Sequence, residues 1–218
     1  RIVGVTPTYA MFEVYPKMYG RNFIPVHYTD DLQMPAENII RELTPDTQLL
    51  ILLNPNNPMG NVYSDEEFGQ IIAVAKQKQI TVLVDEAYHY FYPKTFIKYA
   101  LEGEHVFVTR TFSKLFSMAG CRLGYVAGWP DGVKMVQKMC TPHNTNAFAM
   151  RLAEAVLTTP GMLDSLIFNF TEGSILFYIN GNIFAGEADI VNGSASINYS
   201  PDCAGNFTIF AVFKGTTN

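Results

Sequence analysis

Residues 49–58 read Leu49-Leu50-Ile51-Leu52-Leu53-Asn54-Pro55-Asn56-Asn57-Pro58, and the reading of this stretch decides the fold. Five apolar residues in a row, with no polar alternation, suit a strand buried on both faces. Five residues unsuited to a sheet follow at once. Ser64-Asp65-Glu66-Glu67 then forms a capping box, with the Ser64 hydroxyl placed to accept the Glu67 amide and the Glu67 carboxylate to reach back. The spacing predicts a helix from 65 to about 78, with Phe68, Ile71, Ile72 and Ala75 on its buried face. Thr81-Val82-Leu83-Val84 reads as the next strand, ending at Asp85, and His105-Val106-Phe107-Val108 as another. Pro130 and Asp131 open a helix to about residue 140, and 146–157 reads as one more.

Strand, helix, strand at this spacing implies parallel pairing through crossovers. The expected class is α/β, a mainly parallel sheet with helices on both faces. Ligands of such sheets bind beyond the carboxyl ends of the strands. Three polar clusters fall there: residues 54–57, 85–88 and 109–114. After about residue 165 the texture changes. Residues 166–218 hold only Glu172, Glu187, Asp189, Asp202 and Lys214 as charges, and Asn, Gly and Ser are frequent. Strands are expected at Ile175-Leu176-Phe177-Tyr178-Ile179 and Phe207-Thr208-Ile209-Phe210-Ala211-Val212-Phe213, and no clear amphipathic helix. The expected domains are therefore residues 1–165 and an atypical segment, 166–218.

Composition narrows the function classes. Apolar residues make up 48% of the 218 and charged residues 16%, a globular balance. The net charge of −5, with no basic stretch, argues against a nucleic-acid partner. The apolar runs are strand length, well short of the roughly 20 residues a membrane helix needs. Arg1-Ile2-Val3-Gly4 does not open like a signal peptide. Cys121, Cys140 and Cys203 are odd in number and have no metal-ligand spacing, so no metal is expected and a reducing cytoplasm fits best.

Taken singly, the polar clusters have ordinary explanations. Asn-Pro-Asn-Asn-Pro is usually a turn, Asp85-Glu86 a helix cap or a solvated pair, and Arg122 a surface arginine. Together they suit one cofactor, pyridoxal 5′-phosphate. That group needs a lysine to hold it, a carboxylate at its ring nitrogen, donors at its phenolic oxygen, and hydroxyls and an arginine at its phosphate. Asp85, Lys114, Thr111, Ser113, Arg122, Asn57 and Tyr88 all fall near the expected strand edge.

The motifs Asn54-Pro55-Asn56-Asn57-Pro58-Met59-Gly60, Asp85-Glu86-Ala87-Tyr88 and Thr111-Phe112-Ser113-Lys114-Leu115-Phe116-Ser117-Met118-Ala119-Gly120-Cys121-Arg122-Leu123-Gly124 resemble the signature of class I/II aminotransferases. Within that class the chain is most similar to histidinol-phosphate aminotransferases, over residues 1 to about 160. The resemblance implies the large domain of fold-type I pyridoxal-phosphate enzymes, here incomplete. It implies that Lys114 holds the cofactor covalently and shuttles the substrate proton, and that Asp85 pairs with the ring nitrogen. Asn57 and Tyr88 would bind the phenolic oxygen, Thr111, Ser113 and Arg122 the phosphate, and Tyr9 would stack on the ring. It further implies amino-acid and 2-oxo-acid substrates and a homodimeric parent enzyme. Met59 stands where the family more often has Thr. His27, His105 and His143 are read as structural, and the aromatic cluster at Tyr88, Tyr90, Phe91 and Tyr92 as mainly packing with Tyr88 the exception.

Two departures bear on activity. Family members carry a stretch before the Pro7-Thr8-Tyr9 motif that includes a phosphate-binding turn and a tyrosine reaching the partner's cofactor; here six residues precede Pro7. The family's small domain holds a carboxylate-gripping arginine, and the last arginine here is Arg151. A β-lyase or decarboxylase of the same fold, or a non-catalytic remnant that only binds cofactor, therefore stay open beside the aminotransferase reading. Asn169, Asn192, Asn198 and Asn206 begin Asn-X-Ser/Thr triplets, which the Asn-rich composition accounts for.

Overall fold

The computed structural model describes residues 1–141, 144–171, 173–191, 194–201 and 207–215. His143, Cys203 and the triplets at Asn192 and Asn206 lie outside the described residues, as does the side chain of Asn169; Asn198 is exposed. The chain divides into two compact units, Arg1–Met150 and Arg151–Asn218. In order, the first unit contains β1 (Ile2–Thr6), α1 (Met11–Met18), β2 (Phe23–His27), α2 (Ala36–Glu42), β3 (Leu49–Leu53), α3 (Asp65–Gln77) and β4 (Thr81–Asp85). It continues with α4 (Ile97–Glu102), β5 (Val106–Thr111), β6 (Gly124–Gly128) and α5 (Pro130–Gln137), and the division falls inside α6 (Ala147–Thr158).

Six strands form one sheet in the order β2-β1-β3-β4-β5-β6. The first five in that order run parallel and β6 pairs antiparallel to β5. This is the mainly parallel α/β architecture expected. Alternation across the pleat explains its core. Val3, Val5, Leu50, Leu52, Val82, Val84, Val106 and Val108 are every second residue of four neighbouring strands, and all are buried in one cluster. Ile39 and Leu43 from α2 and its C-cap, Phe68, Ile71, Ile72 and Ala75 from α3, and Ala100 from α4 belong to the same cluster. Ser64 starts α3 as a capping box: the Glu67 amide donates to Ser64 Oγ at 3.2 Å, and the Ser64 amide to Glu67 Oε2 at 2.9 Å. Phe68 stacks on Phe96 with ring centroids 3.6 Å apart.

Several boundaries differ from the sequence reading, among them the last strand, expected at 207–213 and observed at Ile209–Gly215. β5 runs on to Thr111, because β6 supplies partners for Thr109, Arg110 and Thr111. α5 stops at Gln137 rather than near 140. A helix, α7 (Met162–Thr171), crosses the expected change of texture at 165, where no clear amphipathic helix is expected. Its apolar residues Met162, Leu163, Leu166 and Ile167 keep a helical spacing. The second unit also holds an antiparallel sheet, β8 (Ile183–Asp189), β7 (Ser174–Ile179) and β9 (Ile209–Gly215), with β7 central. Among the described residues no helix is long and apolar enough to cross a membrane.

Phe68→Ala removes a fully buried ring from the centre of the first unit's core. It should lower the unfolding free energy by about 3–5 kcal/mol, read as a fall in urea midpoint with little change in slope.

Candidate active site

Register brings the strand ends level. Leu53 pairs with Asp85, and Asp85 with Thr109. The ladder continues one step beyond: the Asn54 amide donates to the Asp85 carbonyl at 2.9 Å, and the Glu86 amide to the Thr109 carbonyl at 2.8 Å. A cavity of about 300 Å³ opens at this edge. Tyr9, Asn57, Asp85, Tyr88, Thr111, Ser113, Lys114 and Arg122, the eight residues singled out in the sequence, all line it.

Each arrives by a different local device. Tyr9 follows β1, where Asn56 holds the adjoining segment: Asn56 Nδ2 donates to the Pro7 carbonyl at 2.9 Å and to the Tyr28 hydroxyl at 2.6 Å, and the Thr8 hydroxyl donates to Asn56 Oδ1 at 2.8 Å. Asn57 Nδ2 donates to the Tyr88 hydroxyl at 2.9 Å. Lys114 Nζ lies 5.1 Å from the centre of the Tyr88 ring, a cation–π approach. Thr111 Oγ1 accepts the Ser113 amide at 3.1 Å and lies 2.9 Å from Ser113 Oγ, so the two hydroxyls form one polar patch. Residues 112–123 leave β5 and return as β6. Gly124 closes this loop against Thr111, and a Cβ there would come within 2.8 Å of the Arg110 carbonyl oxygen. Arg122 sits in the left-handed region (φ 52°), a conformation that costs a non-glycine residue energy and is common at functional sites.

The charges are unevenly exposed. Lys114 and Arg122 are open to solvent, whereas Asp85 is drawn in at the strand end. Among the described residues neither cation forms an ion pair; Arg122 Nη1 donates to the Ala119 carbonyl at 3.1 Å. Burial pushes the Asp85 carboxyl above its ordinary value of 3.8. Hydrogen bonds from the Ala87 amide (3.0 Å) and the Thr109 side chain oppose that rise, the Glu86 charge adds to it, and Lys114 opposes it. Thr109 and Arg110 also line the cavity and were not singled out in the sequence. Nor was the partner of Glu86, a carboxylate with 1% of its side chain exposed, which forms an ion pair with Arg110 at 2.8 Å. His89, half-buried, places Nδ1 3.9 Å from that carboxylate, and burial pushes its pKa down.

This geometry has known counterparts. The family model for aminotransferase class I and II matches residues 1–173. The chain belongs to this family. Among curated aminotransferase relatives, the histidinol-phosphate aminotransferase of Caldanaerobacter subterraneus subsp. tengcongensis is 36% identical over 152 residues, covering 69% of this chain and 42% of that protein. That of Methanococcoides burtonii is 33% identical over 167 residues, covering 76% and 45%. The crystal structure of the histidinol-phosphate aminotransferase from Clostridium acetobutylicum superposes with a TM-score of 0.71 at 25% identity, over 77% of this chain and 51% of that one. That of Sinorhizobium meliloti, in complex with pyridoxal-5′-phosphate, gives 0.69 at 25% identity, over 78% and 46%. The present aminotransferase chain thus spans about half the length of these relatives or less.

The raised pKa of Asp85 has a consequence for stability. The folded state holds the proton more tightly than the unfolded chain does. As pH rises past 3.8 the unfolded chain ionises first, so the carboxyl disfavours the folded state increasingly until pH passes its folded value, and by a constant amount above that. Asp85→Asn, which keeps an acceptor for the Ala87 amide, should therefore raise the melting temperature of the cofactor-free protein at pH 7. The gain should disappear as pH falls below 3.8. Thermal melts of both proteins across pH check this.

Proposed function

We propose that the cavity holds pyridoxal 5′-phosphate, and that the protein containing this chain transfers an amino group between an amino acid, or an amino-alkyl phosphate such as histidinol phosphate, and a 2-oxo acid. The observation that carries this reading is one cavity lined by a drawn-in carboxyl, an exposed lysine, an exposed arginine, two adjacent hydroxyls and an amide–phenol pair. Family membership and the names of its relatives support it. When bound, the cofactor supplies an electron sink for the bonds at the substrate's α-carbon.

The residues fit the group. Asp85 lies where a cationic ring nitrogen would restore the ionised carboxylate that burial disfavours. The Tyr88 hydroxyl accepts from Asn57 and keeps its own hydrogen to donate to an anionic oxygen. Arg122 and the hydroxyls of Thr111 and Ser113 provide a charged fork and two donors for a phosphate. Tyr9 is exposed at the rim and offers a ring face. Lys114 would hold the cofactor through its amine, with water lost from the cofactor's aldehyde, and once freed by substrate its Nζ would be the group to hold and pass on the proton of the substrate's α-carbon. Homodimeric assembly and a cytoplasmic location belong to the same reading, with no nucleic-acid or membrane partner.

Incubation with pyridoxal 5′-phosphate followed by borohydride should label Lys114 alone, as read by peptide mapping, and Lys114→Ala should lose the label. A label on any other lysine would overturn the assignment. Product analysis with a panel of amino donors and 2-oxoglutarate separates the chemistries: glutamate is expected, whereas ammonia or carbon dioxide would point to a lyase or decarboxylase.

A further inference from the structure

Beneath the cavity lies a second polar constellation that the proposed chemistry does not use. Glu86 follows Asp85 directly, and its carboxylate is almost wholly out of solvent. Oε1 accepts the Phe96 amide at 2.7 Å, Oε2 accepts Arg110 Nε at 2.9 Å and Nη2 at 2.8 Å, and the Thr95 hydroxyl lies within 2.9 Å of both oxygens. Arg110 Nη2 also donates to Thr95 Oγ1 at 2.7 Å, and Nη1 to the Tyr125 hydroxyl at 3.3 Å. One ion pair thus joins the end of β4, the entry to α4, β5 and β6. Arg110 lines the cavity, yet its donors are turned to Glu86, Thr95 and Tyr125, whereas Arg122 gives one hydrogen bond to a carbonyl and is exposed. The two arginines therefore differ in kind. Arg122 can receive an anion, and Arg110 is already committed.

We infer that Glu86 and Arg110 are a positioning pair: they hold the carboxyl ends of β4 and β5 together, so that Asp85 on one and the Thr111–Lys114 turn on the other face the same ligand. This rests on the proposed cofactor role of the cavity. The pair contributes geometry and no direct contact. Arg110 is flanked by Thr109 and Thr111, and Glu86 by Asp85 and Ala87, so a shift of either partner moves a cavity-lining residue on both sides. The buried carboxylate also cannot drift: without the guanidinium it is left uncompensated, and the surrounding backbone must rearrange to hydrate it.

Binding of pyridoxal 5′-phosphate and of pyridoxal, which lacks the phosphate, tests the inference in the whole chain, its Arg110→Met and Arg122→Met variants, and Ile39→Ala. Ile39 is fully buried on α2 and serves as a stability control away from the strand ends. Arg110→Met should weaken both ligands by the same factor, about tenfold or more, leaving their ratio unchanged. Arg122→Met should weaken only the phosphorylated ligand, and Ile39→Ala neither. Loss confined to the phosphorylated ligand in Arg110→Met would make Arg110 a phosphate contact, and no loss in either would make the pair a purely structural one; both overturn the inference. If Arg110→Met does not fold, the double variant Glu86→Gln/Arg110→Met removes both charges together and gives the same readouts. Amide hydrogen exchange without ligand separates this inference from the cofactor reading. The Glu86, Ala87 and Asn54 amides should exchange faster in Arg110→Met than in Ile39→Ala at matched global stability. Equal rates would overturn the pair even if the cofactor binds, and faster rates would uphold it even if the cofactor does not.

Discussion

Parallel strands that pair in level register must finish on the same edge, and everything at the cavity follows from that constraint. Leu53, Asp85 and Thr109 are neighbours across β3, β4 and β5, although 32 residues separate the first two positions and 24 the last two. The strands themselves are apolar because both faces are covered. Polar side chains have room only where the strands stop. The sheet therefore sorts the sequence, sending hydrophobic residues to its middle and reactive ones to its rim.

The legible parts of the fold were those with strong local chemistry. Leu49–Leu53 could be read to the residue because the run is uniform and a proline-rich turn ends it. α3 could be read to within one residue because Ser64 and Glu67 mark its start. β1, β2, α1, α2 and β6 are weaker signals. α1 contains Pro16 and has no side-chain cap, and α2 follows Pro35 without one. β2 carries Pro25 and is tolerated as an edge strand, and β6 reads Gly-Tyr-Val-Ala-Gly, with little to mark it as a strand. These elements exist because the neighbouring strands offer partners, which no local window contains.

The site divides in the same way. The eight residues brought forward by the motifs share one cavity: six lie in clusters at the ends of β3, β4 and β5, Tyr9 follows β1, and Arg122 lies in the loop that returns to β6. Glu86 has an ordinary reading alone, as part of a cap or a solvated pair, and its pairing with Arg110 was not legible because it crosses from one strand to another. A charged residue between two threonines at the end of a strand, opposite a second carboxylate, was the available signal. The electrostatic design is layered. Glu86 and Arg110 cancel one another below the rim, so the field within the cavity is left to Asp85, Lys114 and Arg122.

The loop from 112 to 123 has both feet in the sheet, since Thr111 and Gly124 face each other across β5 and β6. It is in effect a closed ring hung from a fixed hinge pin, and Lys114 and Arg122 are two stations on it. The Met118 amide bonds back to the Phe112 carbonyl at 3.0 Å and the Phe112 amide to the Leu123 carbonyl at 3.1 Å, so the ring is strutted across its width. Exchanging a side chain on such a ring leaves its circumference unchanged. One residue more or fewer cannot be absorbed by sliding a strand, since a slip by one turns every side chain of that strand to the opposite face. Beyond the identities of Ser113, Lys114 and Arg122, this part of the chain is obliged to keep its length.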